Sequence, residues 1–251
     1  MTEMPKLSVL RQTCSIWVML VVTVTVIPVQ AQLLQPFSKA QDAQPPALWK
    51  LVGLPDKKVP LTSMEVVTVD RERVLRLRTE NSYGVLSHPV DKLEGSAILQ
   101  WRWRVDQPVP GADLQRKSGD DSAIKVCAMF DFPLERLGLF ERNLLRLARQ
   151  ASTEQLPAAT VCYVWDATLP VGMVLANAYT SRLRWLVLDS GGTPLGQWRT
   201  HRRNLRADLI EVFGEEAKDG ASLVAIAVGA DADNTRSESL AYLTDLTLET
   251  P

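Results

Sequence analysis

The chain has 251 residues, is 46% hydrophobic and 23% charged, and carries a formal net charge of -1. That composition supports a sizeable core and excludes a disordered chain. The near-zero charge supplies no overall field for recruiting nucleic acid or anionic lipid.

Lys6 and Arg11 precede an apolar run from Cys14 to Val29, and Val29-Gln30-Ala31 supplies small residues at its exit. A positive flank, a short apolar core and a small-residue exit read as a secretory signal peptide over residues 1–31. The run is shorter than the roughly 20 residues of a spanning helix, so an uncleaved anchor is the lesser reading. Cys14 opens the apolar run rather than following it, unlike a lipidated lipoprotein cysteine. Residues 32–48 are polar and proline-bearing and read as a loose lead-in. Residues 49–251 form the expected domain, periplasmic or secreted, with no stable membrane anchor after cleavage.

The first short strand is expected at Trp49–Leu54. Met64–Asp70 and Val74–Thr79 read as a hairpin around Arg71-Glu72-Arg73, with Leu75 and Leu77 alternating against Arg76 and Arg78. Ser82–Val90 contains Gly84 and Pro89 and reads as an edge segment. In Ala97–Val105, Trp101 and Trp103 share one face while Arg102 and Arg104 share the other. Lys117-Ser118-Gly119-Asp120-Asp121 is a turn with two adjacent carboxylates, and it runs into the apolar strand Ile124–Phe130. Lys125 interrupts that strand. A buried charge is costly unless paired, so Lys125 requires a partner, with Asp120, Asp121 and the acids near Asp231 available.

The one helix is expected around residues 134–150, where Leu134, Leu137, Phe140, Leu144, Leu145 and Ala148 recur at helical spacing among arginines. Glu135 and Glu141 dilute its positive charge, so packing on the sheet is expected rather than membrane contact. Strands resume at Thr160–Trp165, Met173–Ala178, Leu183–Asp189 and Gln197–His201. Leu223–Ala230 is a continuous apolar run and reads as the most buried strand; Leu240–Glu249 closes the chain. Cys127 and Cys162 lie in two of these strands. They form a disulfide if the strands are neighbours in register and buried thiols otherwise; the demanding geometry of a disulfide favours thiols. The order of elements reads as a mostly β, single β-sandwich of jelly-roll type with one inserted amphipathic helix.

Several stretches together resemble an uncharacterised bacterial family, domain of unknown function 3047. They are Trp101–Val105, Lys117–Asp121, Tyr163-Val164-Trp165, Arg203-Asn204-Leu205 with Asp208, Asp231-Ala232-Asp233-Asn234-Thr235, and Tyr242 with Asp245. The resemblance covers most of the mature chain and implies no reaction. Lys125 stands where the family resemblance leads one to expect arginine, which does not suit a planar, bidentate role.

The sequence Asp231-x-Asp233-x-Thr235 places three oxygen-bearing side chains at alternate loop positions, as in the first half of a calcium loop. Arg236 at the glycine position and Tyr242 at the bidentate glutamate position exclude an EF-hand. A Ca2+ site would use Asp231, Asp233 and Thr235 with Asp245, Asp120 or Asp121. The competing reading is a self-capping turn paired with Arg104, Lys117 or Arg203, with no cofactor required. His88 and His201 have no partner at metal-ligand spacing. The basic run Arg199–Arg203 is followed by Asp208 and Glu211, so it reads as a solvated face and not as a nucleic-acid site. The tryptophans are expected mainly in the core, and any left on an exposed face would offer a platform for sugar rings.

Two functions follow from these residues. The first is a non-catalytic binding module for a carbohydrate or another polar cell-envelope ligand. The second is an aspartate-dependent glycan hydrolase or lyase, with Asp120 or Asp121 facing Asp231 or Asp233. Asp120, Asp121, Lys125, Arg104 and the loop from Asp231 to Thr235, including Asn234, are expected to form one polar cluster, either structural or metal-binding. Asp245 is expected to be returned to it by the last hairpin. Export is tested by intact mass: protein from the envelope should begin at Gln32, whereas recovery of the full-length chain in the membrane would reject the signal peptide.

Overall fold

The computed structural model describes residues 1, 34–54, 58–151, 156–191 and 194–250. The expected signal peptide therefore lies outside the described residues. Gln32–Pro251 is one compact unit.

Alternating apolar residues build most of the strands. In β5 (Ile98–Gln107), Leu99, Trp101, Trp103 and Val105 are buried while Gln100, Arg102 and Arg104 stay partly exposed, as the period of two requires. The hairpin of β2 (Ser63–Val69) and β3 (Glu72–Glu80) forms as expected, but its connection shrinks to Asp70-Arg71, both at positive φ (51° and 70°). That is the backbone of a tight hairpin turn, and it draws Glu72 and Arg73 into the strand.

The other strands are β1 (Lys50–Val52), β4 (Tyr83–Glu94), β6 (Ser122–Asp131), β7 (Ala159–Asp166), β8 (Val174–Ala176), β9 (Leu183–Ser190), β10 (Arg199–Asn204), β11 (Ser222–Asp231), β12 (Glu238–Leu243) and β13 (Thr247–Glu249). They form a seven-stranded sheet, β1-β4-β11-β6-β7-β9-β8, and a second sheet, β10-β5-β12-β3-β2, with β13 added to β5. The two sheets make a mostly β, sandwich-like fold consistent with a jelly roll. All pairings between named strands are antiparallel except β7 with β9.

Ile124, Val126, Ala128 and Phe130 of β6 belong to the same buried core as Leu75, Leu77, Trp101 and Trp103 of the facing sheet. The opposite face of β6 is also covered. Cys127, Cys162, Val164, Trp185, Val187 and Ala227 form a second apolar layer with Leu114 and Leu169 of the flanking loops. This double cover makes β7, and not β11, the strand buried at every position.

Several expectations are corrected. Cys127 and Cys162 are register partners and form a disulfide, because β6 and β7 are adjacent. The closing strand breaks in two where the Thr244 N–H turns to the Arg102 carbonyl. Ser82–Val90 is second from the edge, although Pro89 falls on the part that β1 leaves uncovered. The lead-in is not loose: Leu34 and Phe37 are buried, and Trp49 Nε1 donates to the Gln35 carbonyl. The expected helix is shorter, with a 3-10 turn at Leu134–Arg136 and α1 at Leu139–Ala151. A second helix, α2 (Leu205–Phe213), was not expected. Asn204 caps it by accepting from Ala207 N, and Leu205, Leu209 and Phe213 bury one side. Among the described residues, no helix is long and apolar enough to cross a membrane.

Candidate functional site

The site forms where β6 begins and its antiparallel neighbour β11 ends. Ser122 and Asp231 are register partners there, so the Asp120-Asp121 turn meets the loop from Asp231 to Ser237. Gly119 lets this turn close: a Cβ at that position would lie 2.9 Å from Asp113 N. The Asp113 N–H donates to the Gly119 carbonyl at 2.7 Å, which fixes the turn against its own lead-in.

Lys125 is buried in the middle of β6, and its partner is Asp231. Nζ donates to Asp231 Oδ2 at 2.5 Å, and Asp231 Oδ1 accepts from Ser122 N at 2.9 Å and Ser122 Oγ at 3.2 Å. Gly229 sits beside Lys125 in register. A Cβ there would meet Lys125 Cε at 2.8 Å, so the glycine leaves room for the lysine stem. The rings of Tyr83 and Trp185 lie 5.4 and 5.6 Å from the ammonium. Burial lowers the Lys125 pKa, but Asp231, Tyr83 and Asp120 outweigh it and hold the ammonium above its ordinary value.

Asp121 spans the two loops. Its carboxylate accepts from Asn234 N at 3.2 Å and from Thr235 N at 2.6 Å, which fixes the second loop over the first. Carboxylate oxygens of Asp121, Asp231 and Asp233 all lie within 4.8 Å of one another. Asp120 accepts from Asn177 Nδ2 at 2.7 Å through Oδ2, while its buried Oδ1 has no hydrogen-bond partner. Asp233 Oδ1 is likewise without one. Four carboxylates thus crowd around one ammonium. Burial raises the carboxyls of Asp120 and Asp231, and burial with Asp231 and Asp121 pushes Asp233 up to about 6.

Tyr179 lies at the rim, 57% exposed. Its hydroxyl donates to the Lys117 carbonyl at 3.1 Å and accepts from Asn234 Nδ2 at 3.2 Å. Lys117 Nζ lies 5.1 Å from its ring centroid, and Asn177 Oδ1 accepts from Tyr179 N at 2.9 Å. Lys117, Asp120, Asp121, Lys125, Asp231, Asp233, Asn234 and Thr235 are therefore brought together.

The remaining expected residues are engaged elsewhere. Arg104 makes a bidentate pair with Asp106 at 2.6 and 2.7 Å, reaches Asp70 at 3.4 Å and stacks on Tyr242. It sits on the partly exposed face of the other sheet, so Asp106, two residues along the same strand, compensates it. Arg203 pairs with Asp208 of α2 at 2.5 and 2.9 Å, and Tyr163 Oη donates to Asp208 at 2.6 Å, closing a structural network under the helix. Asp245 accepts from Ser38 N at 2.9 Å and from Ser38 Oγ, because β13 runs back along β5 instead of toward the cluster. Thr235 Oγ1 is bonded to Ser237 Oγ. Among the described residues, Asp121, Asp231 and Asp233 are the carboxylates grouped closely enough to hold a hard cation; Asp245 lies elsewhere, and the Thr235 hydroxyl is shared with Ser237.

Sequence reasoning missed Asn177, Tyr179 and Tyr83. Tyr83 reaches the site on β4, and Asn177 and Tyr179 on the loop between β8 and β9, through strand pairing that no spacing in the chain reveals. Gly229 did carry a signal, being an isolated glycine in an apolar strand. Of the tryptophans, Trp101, Trp103, Trp165 and Trp185 are buried, and half-buried Trp198 donates to Asp70 and lies under Arg102. No tryptophan among the described residues supplies the exposed platform.

Asp231→Ala should cost about 3–5 kcal/mol in urea unfolding, because it strands a buried ammonium. Lys125→Met should cost a similar amount, and combining it with Asp231→Ala should cost less than the sum. An additive double variant would contradict the pairing.

No curated protein matches the chain. Among solved structures, TmCBM61 in complex with beta-1,4-galactotriose is 12% identical at a TM-score of 0.38, covering 88% of this chain and 99% of that one. The K1 cleaved adhesin domain of Lys-gingipain from Porphyromonas gingivalis W83 is 9% identical at 0.37, covering 86% and 96%. An exo-beta-agarase is 10% identical at 0.39, covering 88% of this chain but only 25% of its own. The profile described as "Protein of unknown function (DUF3047)" matches residues 47–247, and the chain belongs to that family.

Proposed function

We propose that the domain is a non-catalytic binding module for a carbohydrate, or a similarly hydroxylated envelope ligand, held at the mouth of the carboxylate cluster. The observation that carries this reading is the exposed ring of Tyr179 at the rim of an acidic cluster, flanked by Asn234 and Lys117. The apolar face of a sugar ring packs on an aromatic ring, and its hydroxyl groups pair with polar side chains at such a rim. Asn177, Asn234 and Lys117 supply further polar contacts around the ring.

The hydrolase reading is weaker. Glycosidase carboxyl groups flank a bond from two sides, about 5–5.5 Å apart in retaining enzymes and about 6.5–9.5 Å in inverting ones. Here the Asp121, Asp231 and Asp233 oxygens crowd within 4.8 Å of one another, and Asp121 and Asp231 are fixed by backbone N–H groups and Lys125. That crowding favours a second reading of the same site, in which Ca2+ completes the charge balance. Lys125 already neutralises Asp231, so the leading reading requires no metal. Export is supported by the N-terminal charge pattern and by the Cys127–Cys162 disulfide, a bond that persists in oxidising compartments.

A glycan array followed by calorimetry tests the proposal. Tyr179→Ala should weaken the best ligand by about tenfold, equivalent to a stacking contribution near 1.4 kcal/mol. Paired Asp120→Asn and Asp233→Asn substitutions should weaken it as well. Binding that persists in chelator supports the metal-free form, whereas binding that requires calcium supports the second reading. Absence of glycan binding, or affinity indifferent to these substitutions, would overturn both.

A further inference from the structure

Helix α1 is docked the opposite way from an ordinary amphipathic helix. Its body-facing side carries Glu141, Arg142, Leu145, Ala148 and Arg149, of which only Leu145 is fully buried. Polar contacts hold that side. Glu141 accepts from Ser181 Oγ at 2.8 Å and lies 3.6 Å from Arg182. Arg142 donates to the carbonyls of Leu134, Glu135 and Leu137, and Arg149 to Asp131 at 2.7 Å and to the Leu156 carbonyl.

The outward side is apolar. Phe140 is 79% exposed, and Leu139, Leu144 and Leu147 are each more than half exposed. Phe140, Leu144 and Leu147 follow the i, i+4, i+7 spacing of one helix face. The expectation that this stripe packs on the sheet is therefore corrected: the chain spends its polar residues on docking the helix and leaves the apolar ones facing solvent. Exposed apolar stripes of this kind mark interaction surfaces.

We propose that this stripe seats the domain on a membrane surface containing anionic lipid, with α1 lying in the plane of the headgroups. Two observations select this occupant. The first is area: four side chains on a 13-residue helix about 20 Å long offer roughly a few hundred Å², below the about 800 Å² per partner of a stable dimer. A lipid surface sets no such minimum, since reversible interfacial binding scales with the apolar area inserted. The second is charge. Glu141 is turned toward the body, so the outward side carries a single charged residue, Arg146, with Asn143 and Gln150 beside the stripe. Arg146 is half exposed and lies 3.9 Å from Glu135 of the preceding turn. Of the two glutamates that dilute the helix in sequence, Glu141 is withdrawn from the outward face, whereas exposed Glu135 flanks Arg146 at its edge.

The test uses the compact unit Gln32–Pro251, which contains the described core, so that the N-terminal apolar run contributes nothing. Cosedimentation with mixed phosphatidylethanolamine–phosphatidylglycerol vesicles should show binding that falls about tenfold or more in Phe140→Ser/Leu144→Ser/Leu147→Ser. The melting temperature of that variant should be unchanged or higher, because the substituted side chains are exposed. Arg146→Glu should weaken binding to these vesicles more than to phosphatidylcholine vesicles. Failure of the wild type to bind, or equal binding by the triple variant, would overturn the proposal. So would a wild-type dimer in sedimentation equilibrium that the triple variant abolishes, which would assign the stripe to a second copy.

Discussion

The ion pair of Lys125 and Asp231 ties together most of what distinguishes this sandwich. A lysine in the middle of a strand covered on both faces is tolerable only when its ammonium is paired and its stem has room. Asp231 supplies the pair from the end of the adjacent strand, and Gly229 supplies the room two residues earlier. Because β11 and β6 run antiparallel, the same register that joins Lys125 to Asp231 joins Asp121 to the backbone of Asn234 and Thr235. One pairing thus closes two loops over each other.

Around that pair the acids outnumber the cation. Asp120, Asp121 and Asp233 share the neighbourhood of a single ammonium, and the arginines expected to balance them lie on the other sheet, Arg104 with Asp106 and Arg203 with Asp208. That excess of acid lies beneath a rim on which the Tyr179 ring is exposed. The outward stripe of α1 follows the same logic on the apolar side, since its polar groups are satisfied by the body and its apolar groups are not.

Much of this was legible in the chain, for identifiable reasons. The alternation in Ala97–Val105 fixes which face of β5 is buried, since a strand has only two faces. The demand of Lys125 for an acid follows from burial alone, and both Asp121 and Asp231 answer to the cluster it implied. What the chain could not disclose was strand order. Arg104 was grouped with Lys125 because both are cations inside strands, yet the two lie on different sheets. Asn177 and Tyr179 enter the site only because β9, the partner of β8, runs parallel beside β7. The disulfide depended on the same unknown, as Cys127 and Cys162 meet only once β6 and β7 are known to be neighbours. The orientation of α1 was misjudged for a different reason: spacing reports where an apolar stripe lies on a helix, not which way the helix is turned.

The central claim is that the folded cluster holds more carboxylate than it can neutralise, and the carboxyl of Asp233 reports this directly. Burial and the adjacent Asp231 and Asp121 push it up to about 6. A proton bound more tightly in the folded than in the unfolded chain adds stability that is full below the unfolded value of about 3.9 and is lost as pH rises through about 6, so ionisation of this group is a standing cost at neutral pH. Following the Asp233 carboxyl carbon by NMR from acid to neutral pH should give a midpoint near 6. A midpoint near the ordinary aspartate value of about 3.9 would contradict the account, because the cluster would then already be balanced without a ligand.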